Sequence, residues 1–285
     1  MKPNEPSFTA LMIARQRAAH QVLDHGSILY EPFAMKILGE DEKDVLQFAN
    51  MHPLASIGRL ITTARSRIAD DALSRAVETG IRQIVILGAG LDTFALRNPH
   101  GAPDIRIYEV DHPATQAWKL ERLAVAQIAL PPRLTLVPVD FERDDVGQKL
   151  AVAGFHQSSP AFFTWLGVVP YLTQDAIGRT LNYMSSIPNS EVVFDYMEPP
   201  EAFSGELRQT EKERAEQLEK IGERSGTRFE PPGIAAILRS HGFCELEDID
   251  FQEIASRFGR AIQGLAPGHA GVHVVHARHC GNAGA

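Results

Sequence analysis

Five short apolar runs in the middle of the chain constrain its fold more than any other feature of the sequence. They are residues 84–87, 105–110, 134–139, 161–165 and 192–196. Short continuous runs of this kind are typical of strands that are buried on both faces of a sheet. Helical patterns lie between them, including 113–128 and 173–186. Strands that alternate with helices predict an α/β fold with a parallel sheet and right-handed crossovers.

The region before the first run has a different pattern. Residues 7–75 show helical spacing of apolar side chains and carry no strand signal. A helix from about Leu60 to Thr79 is expected to end at Gly80, because glycine readily takes the left-handed conformation that closes a helix. The N-terminal quarter of the chain is therefore predicted to be helical.

We expect one domain built from four segments. They are a helical part (1–75), a core of strands and helices (76–197), a charged helical insertion (198–230) and a closing part of the sheet (231–285), with a helix at 232–240 and strands at 245–249 and 272–277. The insertion is open to two interpretations, a solvated helix over the sheet edge or a wall of a substrate pocket. Charge runs usually mark solvated faces, which favours the first.

Composition excludes several classes of protein. The net charge of −8 disfavours nucleic-acid binding, which needs a basic face. No apolar run approaches the ~20 residues of a membrane span, and the N-terminus lacks a signal-peptide pattern. Only two cysteines are present, Cys244 and Cys280, and we expect both to be ordinary thiols in a reducing compartment. A cytoplasmic protein without membrane or nucleic-acid partners is the expectation.

A glycine turn follows the first apolar run and carries the strongest chemical signal. Gly88 and Gly90 permit a tight turn that a ligand can approach closely. A dinucleotide-binding motif wants glycine or alanine where this chain has Thr93, and a pyrophosphate would be opposed by Asp92. S-adenosylmethionine carries a sulfonium cation and no phosphate, so an acidic residue in the turn is tolerable or helpful, and Asp92 is an expected cofactor contact. The turn therefore favours S-adenosylmethionine over NAD.

Acidic residues at the ends of the next two runs strengthen this interpretation. Asp111 lies 21 residues after Gly90, where a carboxylate can accept hydrogen bonds from ribose hydroxyls. Glu109 should point the same way, since side chains alternate along a strand. After the third run, Asp140 can accept from an adenine amino group and Phe141 can lie against the ring. Acids at three successive strand ends predict one cofactor site.

With these motifs the chain resembles the class I S-adenosylmethionine-dependent methyltransferases of the leucine carboxyl methyltransferase family, in its bacterial branch. The resemblance runs from about Ala10 to Val275 and is carried by LMIARQRAAH, EPFA, ARSRIADDAL, VILGAGLDT, YEVDHPATQAWK, VPVDF and WLGVVPYLT. It implies a doubly wound, seven-stranded Rossmann-like sheet with helices on both faces. It also implies that the N-terminal helices form a lid over the cofactor.

The resemblance also implies roles for individual residues. Arg65 matches an arginine that grips the methionyl carboxylate, a task that suits a planar guanidinium. The other implied cofactor contacts are Gly88, Gly90, Asp111, Asp140 and Phe141. Arg17 matches a basic residue of the N-terminal helix near cofactor or substrate, with Arg15 as a competitor. Where family members commonly carry a glutamate for the cofactor's amino group, this chain has Leu166.

On the acceptor side, Tyr171 matches a tyrosine near the transferred methyl group, and it could instead be an ordinary buried ring. Tyr196 ends the fifth run and is a second candidate for the substrate side. A metal site is not expected at the clustered histidines near the C-terminus, because their three-residue spacing sends neighbours to opposite faces of a strand. These histidines are His269, His273, His276 and His279.

The expected function is O-methylation of a small molecule, with a carboxylate ahead of a phenol or alcohol as acceptor. A carboxylate is already ionised at neutral pH and needs no general base. Two alternatives remain: an NAD(P)-dependent oxidoreductase, for which no Tyr/Lys pair is found near the turn, and a cofactor-binding protein without catalysis, which the Leu166 departure motivates. The sequence shows neither the acceptor nor the oligomeric state.

Overall fold

The computed structural model describes residues 7–52, 54–97, 104–220 and 226–280. The helices are α1 (Phe8–Leu23), α2 (Ala34–Leu38), α3 (Glu42–Ala49), α4 (Ala55–Glu78), α5 (Phe94–Arg97), α6 (Pro113–Val125), α7 (Val146–Val152), α8 (Gln174–Ser185), α9 (Gly205–Lys220), α10 (Pro231–Ser240) and α11 (Phe251–Phe258). The strands are β1 (Gln83–Leu87), β2 (Arg106–Asp111), β3 (Leu134–Pro138), β4 (Ala161–Trp165), β5 (Glu191–Met197), β6 (Phe243–Asp250) and β7 (Val272–His279).

Within these residues, seven strands form one mixed sheet in the order β3-β2-β1-β4-β5-β7-β6. Strands β1 to β5 are parallel to one another, and β7 runs antiparallel to both β5 and β6, between which it lies. The strand order turns back at β1, which lies between β2 and β4. In sheets of this kind ligands bind at that switch point, beyond the carboxyl ends of the strands. The predicted seven-stranded α/β sheet is confirmed.

Apolar side chains cover both faces of the sheet. The central strand β1 is accordingly apolar at every position except one. Ile84 and Ile86 of β1 face the apolar cluster that contains α4. Val85 and Leu87 face the opposite cluster, to which α8 and α10 contribute. Burying a side chain of this size contributes about 1.5–3 kcal/mol, so the two faces together hold β1 at the centre.

The N-terminal helices are fixed to the body of the protein by a buried polar network. Asp24, which follows α1, accepts a hydrogen bond of 2.6 Å from Arg59 Nε on α4 and one of 2.7 Å from the Gln263 amide. The Nε2 atom of His20 accepts from the backbone of Ile28, so Nδ1 carries the proton and donates to Asp24 at 2.9 Å. Segments far apart in sequence therefore converge on one buried carboxylate.

Several boundaries differ from those expected. Helix α4 begins at Ala55 instead of about Leu60, and neither α7 nor α11 was expected from the sequence. Among the described residues, no helix combines the length and the apolar character needed to cross a membrane.

The two cysteines form a disulfide, with 5.8 Å between the Cα atoms of Cys244 and Cys280. The expectation of two ordinary thiols was wrong. Cys244 lies on β6 and Cys280 directly follows β7, and the antiparallel pairing of these strands places Phe243 opposite His279. The register of that pairing, which brings the sulfurs together, is not visible in the sequence.

Candidate active site

A cavity of about 510 Å³ lies beyond the carboxyl ends of β1, β2, β3 and β4. The N-terminal part of α1 covers one side of it, with Ala10, Ile13, Ala14 and Arg17 among the lining residues. Small-molecule and cofactor sites typically enclose about 300–1,000 Å³, so the cavity suits a nucleoside cofactor with a small acceptor.

The glycine turn after β1 forms the floor of the cavity, and two of its positions require glycine. Gly88 has φ 68° and Gly90 has φ 50°, conformations that cost other residues free energy. A Cβ atom on Gly88 would stand 2.2 Å from Val168 Cγ2, and one on Gly90 would stand 3.2 Å from Ala10 Cβ. Glycine at both positions thus lets the turn pack closely against Val168 and Ala10, which also line the cavity.

The Asp111 carboxylate stands at the end of β2 and lines the cavity next to this turn. Its Oδ2 accepts a 2.5 Å hydrogen bond from the Gly90 amide, and its Oδ1 accepts one of 2.6 Å from His112 N. Burial raises the pKa of the Asp111 carboxyl, and the two amide donors oppose that rise. Helix α6 is capped by His112, whose Nδ1 accepts from Ala114 N, so Asp111 is not needed as a cap.

Asp140 and Phe141 also line the cavity, at the end of β3. Asp140 Oδ1 accepts a 3.1 Å hydrogen bond from Glu142 N, which fixes the turn that follows the strand. Phe141 is half-buried and packs against the apolar cluster of one sheet face. The structure therefore brings together the predicted residues of the turn, Asp111 and this pair.

Glu109 does not belong to this set. It is buried and absent from the cavity lining, and Lys119 Nζ of α6 lies 2.5 Å from its Oε2. Burial raises the pKa of the Glu109 carboxyl, and the Lys119 ammonium opposes that rise. Alternation does put Glu109 on the same side of β2 as Asp111, but two residues back from the strand end it is covered by α6. The structure therefore does not bring Glu109 to the cavity.

Asp92 lies in the turn and lines the cavity, held by Arg17. Arg17 Nη1 donates to Asp92 Oδ2 at 2.8 Å, and Nε donates to the buried Glu31 at 2.7 Å. Burial alone would raise the pKa of Asp92, but Arg17, Lys119 and Arg97 outweigh burial and lower it to about 2. Arg17 offsets the Asp92 charge, so opposition to a phosphate is weaker than the sequence implied.

The same network settles which arginine of α1 faces the site. Arg17 lines the cavity, whereas Arg15 pairs with Glu40 at 2.6 Å on the far side of the helix. Glu31 also accepts a 2.8 Å hydrogen bond from Thr93. Thr93 stands at the sixth motif position, and this bond gives its hydroxyl a structural role.

Arg65 of α4 enters the cavity from the other side. Its Nη1 donates to Asp195 Oδ2 at 2.8 Å, and its Nη2 lies so close to Gly167 that a Cβ there would be 2.7 Å away. The Asp195 carboxylate also accepts from Gly167 N at 2.5 Å. Arg65 Nε is buried and has no hydrogen-bond partner among the described residues. An unpartnered donor beside the cavity fits a ligand carboxylate. Leu166 adds an apolar wall nearby.

Of the two candidate tyrosines, the structure places one at the cavity and the other away from it. Tyr171, in a short 3-10 turn after β4, lines the cavity. Tyr196 is fully buried on β5; its ring stacks on His273 at 4.7 Å and its hydroxyl donates to Asp248. The structure does not bring Tyr196 to the cavity, because Asp195 takes the β5 face that meets Arg65 and Tyr196 points to the opposite face.

S-adenosylmethionine has a nucleoside, with its ribose, and a carboxylate. These groups fit the glycine cradle, the strand-end carboxylate and the unpartnered arginine donor of the cavity.

Two solved structures share this fold over almost the whole chain. A DUF574 family protein from Streptomyces avermitilis superposes with TM-score 0.56 over 93% of this chain and 99% of its own, at 17% identity. A "putative methyltransferase" from Thermobifida fusca gives 0.55 over 97% and 96%, also at 17% identity. Likeness at this identity shows the fold alone.

Sequence similarity to known proteins places the chain in the class of S-adenosylmethionine-dependent methyltransferases. The sequence model of the leucine carboxyl methyltransferase family matches residues 10–185, and the chain belongs to that family.

Curated relatives agree with this assignment. The Bacillus subtilis protein named "Putative S-adenosyl-L-methionine-dependent methyltransferase YktD" is 32% identical over 221 residues, covering 69% of this chain and 72% of its own. A Mycolicibacterium paratuberculosis relative, which has the same name without YktD, is 34% identical over 158 residues; these cover 55% of this chain and about half, 51%, of the relative. The oxidoreductase alternative is thereby set aside.

Proposed function

We propose that this protein transfers a methyl group from S-adenosylmethionine to a carboxylate oxygen of a small-molecule acceptor and forms a methyl ester. The chemistry that the cofactor supplies when bound is a methyl group on a sulfonium, whose C–S electron pair stays on sulfur as the new C–O bond forms. An ionised carboxylate provides the electron pair for that bond, so no proton has to be moved.

The observation that favours a carboxylate acceptor is that ionisable side chains around the cavity already have hydrogen-bond or ion-pair partners. Among the described lining residues, Asp92 is paired with Arg17 and Asp111 accepts two amide donors. Asp140 accepts from Glu142 N, and Glu142 accepts from Thr173. The His112 Nδ1 atom is used to cap α6. A phenol or alcohol would need a base beside its oxygen. Tyr171, which also lines the cavity, can orient an oxygen by hydrogen bonding.

The residues of the cavity divide the remaining tasks in this proposal. Asp111 accepts from the ribose hydroxyls, Asp140 accepts from the adenine amino group, and Phe141 packs on the ring. Arg65 donates its free Nε and Nη2 hydrogens to the methionyl carboxylate, while Asp195 keeps the guanidinium in place. Ala10 and Ile13 of α1 exclude water from the reacting atoms, which strengthens the electrostatic contacts inside.

A transfer assay with a labelled methyl group tests the acceptor class. The purified protein is incubated with methyl-labelled cofactor and panels of small carboxylic acids, phenols and alcohols. Methyl esters release labelled methanol in mild base, whereas methyl ethers do not. Base-labile product from acids supports the proposal. Base-stable product from phenols or alcohols contradicts it, and no transfer to any panel favours a cofactor-binding protein without catalysis.

A cytoplasmic location is part of the proposal, because that compartment supplies the cofactor. The Cys244–Cys280 disulfide is the observation against it, since a reducing compartment keeps thiols free. Cell fractionation followed by thiol alkylation decides both points together. Cytoplasmic protein with two alkylated cysteines supports the location, and extracytoplasmic protein with none contradicts it.

A further inference from the structure

Tyr171 is held from behind by the charged helix α9. Arg214 Nη2 donates to the Tyr171 hydroxyl, and the Arg214 guanidinium lies 5.8 Å from the centroid of the Tyr171 ring. Since the hydroxyl oxygen accepts from Arg214, its proton remains for an oxygen in the cavity. No acceptor takes that proton among the described residues. The pair therefore presents a donor, backed by a positive charge, to the acceptor end of the site.

Arg214 is itself fixed by a buried carboxylate. Glu211, one turn earlier on α9, is only 6% exposed, and both its oxygens accept from Arg214 Nη1, at 3.1 and 3.3 Å. Glu211 also accepts a hydrogen bond from Arg228, which lies after α9 in the chain. Two guanidiniums thus share one carboxylate, and Arg228 Nη1 is buried without a partner among the described residues. This cluster carries a net positive charge beside Tyr171.

Helix α9 turns one specific face to the body of the protein. Leu207, Glu211 and Arg214 follow at i, i+4 and i+7, the spacing of one helix face. Leu207 and Glu211 are buried, whereas Lys212, the residue after Glu211, is exposed. Further along, Gly226 N donates to Pro170 O at 3.2 Å, and Thr227 donates to Leu172 O, which ties the chain beyond α9 to both sides of Tyr171. Both α9, through Arg214, and the chain beyond it therefore contact the turn that contains Tyr171.

We propose that Arg214 is a positioning residue, which holds Tyr171 toward the cavity and makes the acceptor site selective for an anionic acceptor. The inference rests on the proposed carboxyl transfer and extends it, because it places acceptor selectivity in the insertion at 198–230. A carboxylate gains from the excess positive charge of the cluster, and a neutral analogue of the same shape does not. Arg214 acts through Tyr171 and does not need to touch the reacting atoms.

The test measures binding as well as turnover. Benzoate, phenylacetate and octanoate are each compared with the matching amide by titration calorimetry on protein saturated with S-adenosylhomocysteine. For at least one pair, the wild type is expected to prefer the acid. Arg214→Met should weaken binding of that acid about tenfold or more, because the charged acceptor loses the attraction of a guanidinium behind the Tyr171 hydroxyl, and should change binding of the amide much less.

Two further variants separate positioning from folding. Arg214→Lys keeps the charge and should restore part of the acid preference. Lys212→Met removes the same charge from the exposed face of α9 and should change nothing. Affinity for S-adenosylhomocysteine should stay within about twofold throughout, because Arg214 does not line the cavity. In turnover with an accepted acid, Arg214→Met should raise KM more than it lowers kcat.

Results that contradict the role of Arg214 can be distinguished from results that contradict the proposed carboxyl transfer. A wild type that prefers no acid over its amide, or an Arg214→Met variant that keeps the full preference, overturns the role of Arg214. An Arg214→Met variant that loses S-adenosylhomocysteine as strongly as the acid also overturns it, since the effect is then structural. A wild type that makes no base-labile product from any acid overturns the carboxyl transfer itself, whatever the binding results are.

Discussion

The Asp111 carboxylate accepts a 2.5 Å hydrogen bond from the Gly90 amide, which joins the end of β2 to the glycine turn after β1. The acid and the turn therefore form one unit before any ligand is bound. Each Asp111 oxygen keeps a lone pair for a ligand hydroxyl. Affinity for the cofactor should depend on the backbone of the turn as strongly as on the carboxylate.

Gly88→Ala should weaken cofactor binding and destabilise the protein by about 2 kcal/mol or more, because the new methyl group combines a left-handed φ with a clash. The clash is with Val168, 2.2 Å from the added Cβ. Gly178→Ala is the matched control: Gly178 lies in α8 with open space around its Cβ position, so the change should stabilise by about 0.5–1 kcal/mol. Chemical denaturation of both variants measures these opposite shifts. Equal stability in the two variants would contradict the strained turn.

Arg17→Met should lower the free energy of unfolding by about 3–5 kcal/mol, because it leaves Glu31 buried without its main partner. Arg17 is 6% exposed and Glu31 is 1% exposed. Arg15→Met on the same helix removes a partly exposed pair with Glu40 and should cost no more than about 1 kcal/mol. Urea titrations of the two variants measure the contrast. A loss at Arg17 as small as that at Arg15 would show that the buried network does not fix α1.

The stability contributed by His273 should decline as the pH rises. Its Nδ1 lies 2.9 Å from Asp248 and its Nε2 lies 3.0 Å from Glu198, with the Tyr196 ring stacked on the imidazole. Burial alone would lower the pKa of His273, but the two carboxylates outweigh burial and raise it above the ordinary 6.5. The contribution is therefore complete below pH 6.5 and is lost as the pH rises through the raised folded pKa.

The measurement for His273 is the difference in unfolding free energy between wild type and His273→Gln. This difference should be larger at pH 5.5 than at pH 9. His52→Gln, at an exposed position, is the control and should show little difference at either pH. A His273 difference that grows with pH would mean that the histidine is held in its neutral form.

Glu109→Gln should lower stability without weakening cofactor binding by the folded protein. The change leaves the buried Lys119 ammonium without its anionic partner, a loss of about 3–5 kcal/mol. The side chain does not line the cavity, so the Kd for S-adenosylhomocysteine should stay within about threefold of wild type. Denaturation and calorimetry on the same preparation give both quantities. A tenfold weaker Kd with unchanged stability would return Glu109 to the cofactor site.

Much of the sheet could be predicted because its parallel strands are buried on both faces and therefore read as continuous apolar runs. Gly88, Gly90 and Asp111 could be predicted for a related reason: they sit directly at strand ends, where sequence position fixes spatial position. Two closing strands near the C-terminus were also expected, but neither their antiparallel pairing nor its register was. The Cys244–Cys280 disulfide depends on that register, so it was missed.

Two candidate site residues, Glu109 and Tyr196, lie away from the cavity for the same physical reason. Strand alternation gives the face of a side chain, but it does not give its depth or what covers it. Glu109 and Asp111 share a face, yet Lys119 of α6 covers only the first. Tyr196 and Asp195 take opposite faces, and only Asp195 meets Arg65. Since these partners come from helices, their positions depend on packing.

The insertion at 198–230 shows the same limit. Its charge predicted a solvated helix, and most of the described side chains of α9 are exposed. The buried Glu211 and its contact with Arg214 favour the other interpretation, in which the insertion forms part of the substrate side. One charged residue among many on this helix is buried, and nothing in the local sequence distinguishes it.

Titration calorimetry with S-adenosylmethionine tests the central claim most directly, on the wild type and on Asp111→Ala. We predict binding by the wild type and a Kd at least about tenfold weaker in the variant, since a hydrogen bond to a charged group contributes about 1.5–3 kcal/mol. Circular dichroism of the variant checks that the fold is kept. Absence of binding heat at several temperatures with the wild type, or an unchanged Kd in Asp111→Ala, would contradict the account.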